Sequence, residues 1–462
     1  MGKNDERRRP IRNGQRSGKV ERSDLNLFGF DLVVRLIHVD HLHCLFGHSA
    51  PCPDFRPAGL AVFDCDQNAG ANPERDNRPA PAKPQTGNVF DRKLKMKAIR
   101  LFLTGDVMTG RGIDQALPHP GDPALFEAYA KSADQYVALA EKAHGAISQP
   151  LDFRHIWGDA LETLDRERPD ARIINLETAI TTSRTPEPKG INYKMHPENM
   201  PVLTAAGIDC CVLSNNHVLD WGEAGLYDTL DALKRAGVGT AGAGSCLSEA
   251  SQPAVLNVRL GCRITVYGAG SKTSGIPPHW AAGEKRAGVR LLPDLSERTA
   301  ERLAAEMLSS KRAGDVTIFS MHWGSNWGYA IPGEQRRFAH RLIEAGACDI
   351  VHGHSSHHPR AIEIHRGKLI LYGCGDFIND YEGIRGKEEY RGDLSVMYLP
   401  AIDPASGALQ KLDLIVFQMR RFRLQSAPQD DIEWLSDVLN RESRSFGTRF
   451  VLKPGGLEAA RT

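Results

Sequence analysis

From residue 99 onward the chain alternates short apolar runs with longer amphipathic stretches, separated by polar turns. Runs at 99–103, 172–175, 207–213, 262–267, 316–321, 350–352, 369–372 and 394–399 are too short for helices and read as buried strands. Between them, 222–236, 295–311 and 334–345 place apolar residues three and four apart, the spacing that gives a helix one oily face. Gly237 and Gly346 follow two of these stretches, where a left-handed residue commonly ends a helix. Strand-like pieces near 360–371 and 412–418 lie closer together, as in hairpins or meanders, so mixed sheets are expected. Apolar strands separated by amphipathic helices predict an α/β fold whose sheets are flanked by helices on their outer faces.

That pattern is missing earlier in the chain. Residues 1–95 hold a few short apolar pieces among tracts rich in Pro, Asn and Arg, which read as turns or disordered chain. Met96 leads directly into the first strand, so this extension is expected to be disordered or to reflect a mis-assigned start. Cys44, Cys52, His38, His41, His43 and His48 crowd one stretch of it without the spacing of a tetrahedral zinc site. The folded domain is expected over 96–425, followed by a C-terminal tail, 426–462, with a short helix near 432–439.

Composition narrows the partners. The formal net charge is +1, but residues 1–97 carry 17 basic and 12 acidic side chains while the remainder carries 41 and 45. A slightly acidic body is poorly suited to neutralising phosphates, so no nucleic-acid partner is expected. No stretch reaches the roughly 18 apolar residues that span a bilayer. The amino-terminal basic segment also lacks the apolar run of a secretory signal. These features, with nine cysteines and no Cys-x-x-Cys pair, predict a cytoplasmic protein whose thiols serve packing.

The chemistry collects where strands should give way to loops. Five runs finish in Gly105-Asp106, Asn175-Leu176-Glu177, Asn215-Asn216-His217, Met321-His322-Trp323-Gly324, and the series from His352 through His354 and His357 to His358. The carboxyl ends of strands in an α/β sheet share one edge, so these residues can converge from distant parts of the chain. Carboxylate, amide oxygen and imidazole suit Mn, Fe or Zn, and two such ions could bind an oxyanion together with a shared hydroxide. His217 and Asp220 are spaced to meet within one helical turn, where Asp220 would fix the imidazole tautomer. Plainer readings stand beside these: Asp106 could cap a helix, and Arg111 could form a salt bridge instead of clamping an anion. His352 could belong to the core, and His340 and His365 read as ordinary structural histidines. Which of the four clustered imidazoles point inward is open.

Taken in order, GDVMTGRG, NLETAI, SNNHVLDWGEAGLYDTLDALKRAGV, SMHWGSNW, DIVHGHSSHHPRAIEI and LILYGCGDFINDYEGI resemble the bacterial CapA-type capsule-synthesis family, which is related to calcineurin-like metallophosphoesterases. The resemblance implies a metallophosphoesterase-like αββα sandwich. It implies Asp106 as the first metal-binding carboxylate, Glu177 in place of a bridging Asp, and Asn216 as a further ligand. His217 would be the catalytic histidine, and His322, His354 and His357 the later ligands. Family members are associated with making or exporting poly-γ-glutamate, and several are membrane-anchored. Two departures stand out: Met108 replaces the histidine of the usual Asp-x-His, and the last motif has extra histidines. Asp376 occupies the place of a common Asn, and its carboxylate could return a ligand.

The expected function is that of a metal-dependent hydrolase or transferase. A metal-bound hydroxide would act on a phosphoryl or related group of an anionic small molecule or polymer, in capsule or poly-γ-glutamate synthesis. Asp106, Glu177, Asn216, His322, His354 and His357 would hold one or two divalent ions, with His217, Asp220 and Arg111 as the catalytic set. Two alternatives are an accessory for an anionic polymer and a non-catalytic interaction protein with a degenerate metal site, the latter favoured by Met108.

Overall fold

The computed structural model describes residues 98–461; the expectations for residues 1–95 lie outside the described residues. The strand Ile99–Val107 lies inside a ten-stranded sheet. On one side it pairs in parallel with Ala171–Leu176, followed by Cys210–Val212 and Gly239–Ala241. On the other side an antiparallel meander runs through Leu394–Asp403, Ala408–Met419, Gly456–Arg461 and Thr448–Lys453. A six-stranded sheet has the order Ile362–His365, Lys368–Leu371, Ile350–His354, Val316–His322, Arg263–Gly270, Ala254–Asn257. Its inner four strands are parallel and its two edges antiparallel.

Successive strand residues face opposite sides of a sheet, and this alternation sorts the core. Leu101, Leu103, Ile173, Cys210 and Val212 of the larger sheet share one apolar cluster with Ile264, Ile318, Ile350, Leu369 and Leu371 of the smaller. Phe102, Ile174 and Cys211 face the other way, onto Leu164 of helix Asp159–Glu167 and Leu226 and Leu233 of helix Gly222–Arg235. Phe319, Met321 and Val351 likewise meet Leu303 and Met307 of helix Glu297–Ser310 and Phe338 and Leu342 of helix Gly333–Glu344. The result is a mixed α/β architecture in which helices flank the sheets.

The three expected helices form within two residues of their expected bounds. Ser296 caps one of them by accepting a hydrogen bond from the Thr299 backbone N–H at 3.3 Å. Gly237 and Gly346 take φ of 73° and 72°, the left-handed geometry that a side chain would penalise. Helices Asp134–His144 and Asp159–Glu167 form where no element was expected. Residues 426–461, expected as a tail with a short helix near 432–439, supply the longer helix Gln429–Ser443 and the final hairpin. Their Ile432, Leu435, Leu439, Phe450 and Leu457 join the core between elements, because an amphipathic helix gains most of its stability by burying its apolar stripe. Among the described residues no helix is long and apolar enough to cross a membrane.

One irregularity sets the positions of the polar strand ends. Leu103 pairs with Ile173, but the next pair along is Asp106 with Asn175, so Ile99–Val107 carries one extra residue. Such a bulge reverses which face each later residue occupies. Leu101 and Leu103 face the inter-sheet core, and after the bulge Asp106 lines up with Asn175 while Val107 turns outward with Phe102. Gly105 lets Gly375 approach closely, since a Cβ there would lie 1.8 Å from the Gly375 carbonyl oxygen. The approach is fixed by the Asp106 N–H donating to that oxygen at 3.1 Å, and it sets Asp376 beside Asp106 in a parallel pairing. Gly105→Ala is therefore expected to destabilise the fold by about 3 kcal/mol, read as a lowered urea midpoint; an unchanged midpoint would remove this contact from the account.

Candidate metal centre

On each strand the residues facing the inter-sheet layer are apolar until the carboxyl end, where they become polar. In Val316–His322 the inward series ends in Ser320 and His322, and in Ile350–His354 it ends in His352 and His354. The two strands are in register, with His322 opposite His354. All four side chains are buried, together with Asp106, Asn175, Glu177, His357 and Asp376. Buried polar groups require partners, and most of these have them. Asn175 Nδ2 donates to Asp106 Oδ1 at 2.7 Å and to Glu177 Oε2 at 2.9 Å. Asn215 Nδ2 in turn donates to Asn175 Oδ1 at 3.0 Å. His357 Nδ1 donates to Asp376 Oδ1 at 2.8 Å, and Asn379 Nδ2 to Asp376 Oδ2 at 3.1 Å.

Asp106 Oδ2 is the exception, being buried with no hydrogen-bond partner. Asp106 belongs to two sets of three donors: one with His322 and His354, the other with His357 and Asp376. Within each set the donor atoms lie within 4.8 Å of one another. Nitrogen and carboxylate donors grouped around an orphaned carboxylate oxygen fit a divalent transition-metal ion, so these residues could hold one.

The other expected residues divide into three groups. Asn216 Oδ1 is 2.9 Å from His322 Nε2, and Glu177 Oε1 is 4.0 Å from the same nitrogen and 3.9 Å from His217 Nε2. Asp106 is common to both donor sets and Glu177 belongs to neither, with Asn175 linking the two carboxylates. His217 Nδ1 donates to Asp220 Oδ2 at 2.6 Å, and its ring stacks on Tyr193 with centroids 4.1 Å apart. Lys189 Nζ donates to Asp220 Oδ1 at 2.7 Å and to the Asn216 carbonyl. Arg111 differs from the expected anion clamp. Its guanidinium is buried and bound by both oxygens of Asp380, by Glu127 Oε1 at 2.9 Å and by Tyr136 Oη at 2.7 Å. Its donors are engaged by the protein itself. His352 bonds Ser320 Oγ at 3.0 Å and the Thr104 carbonyl at 2.8 Å, tying the two sheets together. His358 stacks on Tyr390, outside both donor sets.

Asn175 stands among the expected strand-end residues without a role of its own, and Lys189 and Tyr193 were not expected at the site. A usable signal existed only for Asn175, a polar residue in phase with the inward-facing Ile173. At position 108 the buried thioether accepts a 3.4 Å contact from Tyr381 Oη, and Asp376 is the carboxylate that joins the donor set.

Electrostatics follow burial. Asp106 is raised to about 7, first by desolvation and then by Asp376. Glu177 is raised by desolvation and by Asp106. His322 and His354 are held well below the ordinary imidazole value by burial, with neighbouring imidazoles adding to it. His217 is lowered by burial to about 4, against the opposing pull of Asp220. Burial also lowers His357, but Asp376 outweighs it and leaves that imidazole above its ordinary value. A bound cation requires Asp106 ionised and His357 neutral, so binding must displace protons near neutral pH, whereas His322 and His354 have none to release. Apparent Mn²⁺ affinity is expected to fall by at least about tenfold from pH 8 to pH 6. Calorimetry in two buffers should show proton release; a flat affinity with none would contradict this charge balance.

The comparisons with known proteins come to the same region of the chain. The model of a family described as "Bacterial capsule synthesis protein PGA_cap" matches residues 100–381. A Mycobacterium tuberculosis protein named "Probable polyglutamine synthesis accessory protein" is 50% identical over 361 residues, covering 78% of this chain and 95% of its own. "PGA biosynthesis protein CapA" of Bacillus subtilis is 24% identical, over 62% of this chain and 64% of its own. "Capsule biosynthesis protein CapA" of Bacillus anthracis is 26% identical, over 63% and 62%.

Proposed function

The chain belongs to the bacterial capsule synthesis (PGA_cap) family, and on that premise we propose that it is an accessory of anionic-polymer synthesis that works through a divalent-metal centre. The polymer is of the poly-glutamate class, and its carboxylates meet the protein at the sheet junction. The observation that carries this reading is the orphaned Asp106 Oδ2 among His322, His354, His357 and Asp376. Asp106, His322 and His354 would hold one ion, and Asp106, His357 and Asp376 a second, with Asn216 and Glu177 alongside. The two helix-flanked sheets are consistent with a metallophosphoesterase-like sandwich. Arg111 in this reading is a positioning residue: it fixes Asp380 and, from 4.5 Å over the ring, Tyr193, which backs His217.

A second reading, hydrolysis or transfer at the same centre, is favoured by the geometry of His217. Asp220 holds the Nδ1 proton, leaving the Nε2 lone pair free, 3.9 Å from Glu177 Oε1. An imidazole lowered to about 4 is neutral at pH 7 and can accept a proton from an attacking group, then return it to a leaving oxygen. A divalent cation, when bound, supplies Lewis acidity and lowers the pKa of water. Lys189 holds Asp220 from the opposite side and adds positive charge beside the site.

Two measurements on the full chain test these readings. Fluorescent poly-γ-glutamate is expected to bind with Mn²⁺ present and to lose at least about tenfold in affinity after chelation or in Asp106→Asn. Binding indifferent to both would overturn the polymer reading. In a phosphatase and phosphodiesterase screen, His217→Ala is expected to keep its metal and lose 10²- to about 10⁴-fold in turnover. Wild-type protein without turnover would leave the accessory role alone.

A further inference from the structure

A separate group of donors lies away from this centre, on the outer side of the smaller sheet. Helix Gly333–Glu344 presents His340 and, one turn later, Glu344. The edge strand Ile362–His365 presents Glu363 and His365, two residues apart and therefore on one face. The imidazoles of His340 and His365 stack with centroids 3.7 Å apart and planes inclined by 7°. His365 Nε2 is 3.0 Å from Glu344 Oε1, and His340 Nε2 is 3.0 Å from Glu363 Oε1. One donor atom each from His340, Glu363 and His365 lies within 4.8 Å of the other two.

We propose that His340, Glu363 and His365 form a second, structural site for a divalent transition-metal ion of the zinc class, with Glu344 holding His365 in place. Two imidazoles and one carboxylate drawn from two elements, with a second carboxylate bonded to one of the imidazoles, are a donor set that suits Zn²⁺. Ion pairing alone serves the cluster poorly. His340 Nε2 is buried and makes no hydrogen bond, although Glu363 Oε1 is beside it. The supporting contacts are also present. Tyr372 Oη donates to Glu363 Oε2 at 2.7 Å, orienting that carboxylate so that Oε1 faces the imidazole. Arg366, an exposed side chain, touches Glu344 at 3.2 Å, and Arg336, half-buried against the Phe446 ring, touches Glu363 at 3.2 Å.

The site would clamp the helix to the edge strand. The helix is preceded by the segment carrying Trp327, and the strand by the segment carrying His357; these two rings lie 5.3 Å apart. An ion bound outside would thereby brace the wall of the inner centre. None of His340, Glu344, Glu363 and His365 belongs to the inner donor sets, so this site is independent of the proposed function.

The test titrates the full chain, stripped of metal by a chelator, with ZnCl₂ in competition with a chromophoric chelator. In a background of Asp106→Asn, His322→Ala and His357→Ala, one Zn²⁺ per chain is expected to remain. Adding His365→Gln should weaken that site at least about tenfold, and adding His340→Ala should abolish it. Should the triple background fail to fold, His365→Gln in the otherwise unaltered chain is expected to remove one class of zinc site and spare the other. Zinc stoichiometry and affinity untouched by both His365→Gln and His340→Ala overturn the proposal. Loss of the inner centre alone would instead show as a single site in the unaltered chain that vanishes with His365→Gln.

Discussion

Asp106, Glu177 and Asp376 are buried together, none more than 2% exposed, and like charges so placed cannot all ionise without a compensating cation. The rest of the inner site is arranged around that constraint. One amide, Asn175, is shared by two of the carboxylates, and one imidazole, His357, answers the third. The remaining rings, His322 and His354, are kept neutral by burial. A single carboxylate oxygen is left with nothing to bind. A buried polar atom without a partner, set among perturbed titratable groups, marks a candidate ligand site.

Around this poised centre lies a layer that is already neutralised. Arg111 satisfies Asp380 and Glu127, Asp220 satisfies Lys189 and His217, and Tyr193 sits between the two networks, against Arg111 on one side and His217 on the other. The loops that supply Lys189, Tyr193 and Asp380 are thus fixed by internal ion pairs. Ligand orientation in metal sites depends on such supporting contacts.

The strands, the main helices and the strand-end polar residues were legible because each rests on local chemistry. A run such as 316–321 is apolar because both faces of its strand are buried, and the polar residues after it are conspicuous because their burial demands partners. Arg111 shows the limit of that reasoning. Its place in a Gly-rich segment fits an anion clamp and a salt bridge equally well, and the choice falls to Asp380, 269 residues away. Helix Gln429–Ser443 shows another limit, since its apolar spacing was visible but the surface it covers was not.

The sequence by itself determined the α/β alternation, the family, and the set of carboxylates, amides and imidazoles available at the strand ends, since these are properties of residue type and spacing. Only the tertiary structure decided that Asp106 is common to both donor sets, that Asp376 stands beside it, and that His340 and His365 stack. The physical reason is that a one-residue bulge before Asp106 and the side-chain-free contact of Gly105 with Gly375 set which face each donor occupies, and register of that kind comes from pairing between distant strands.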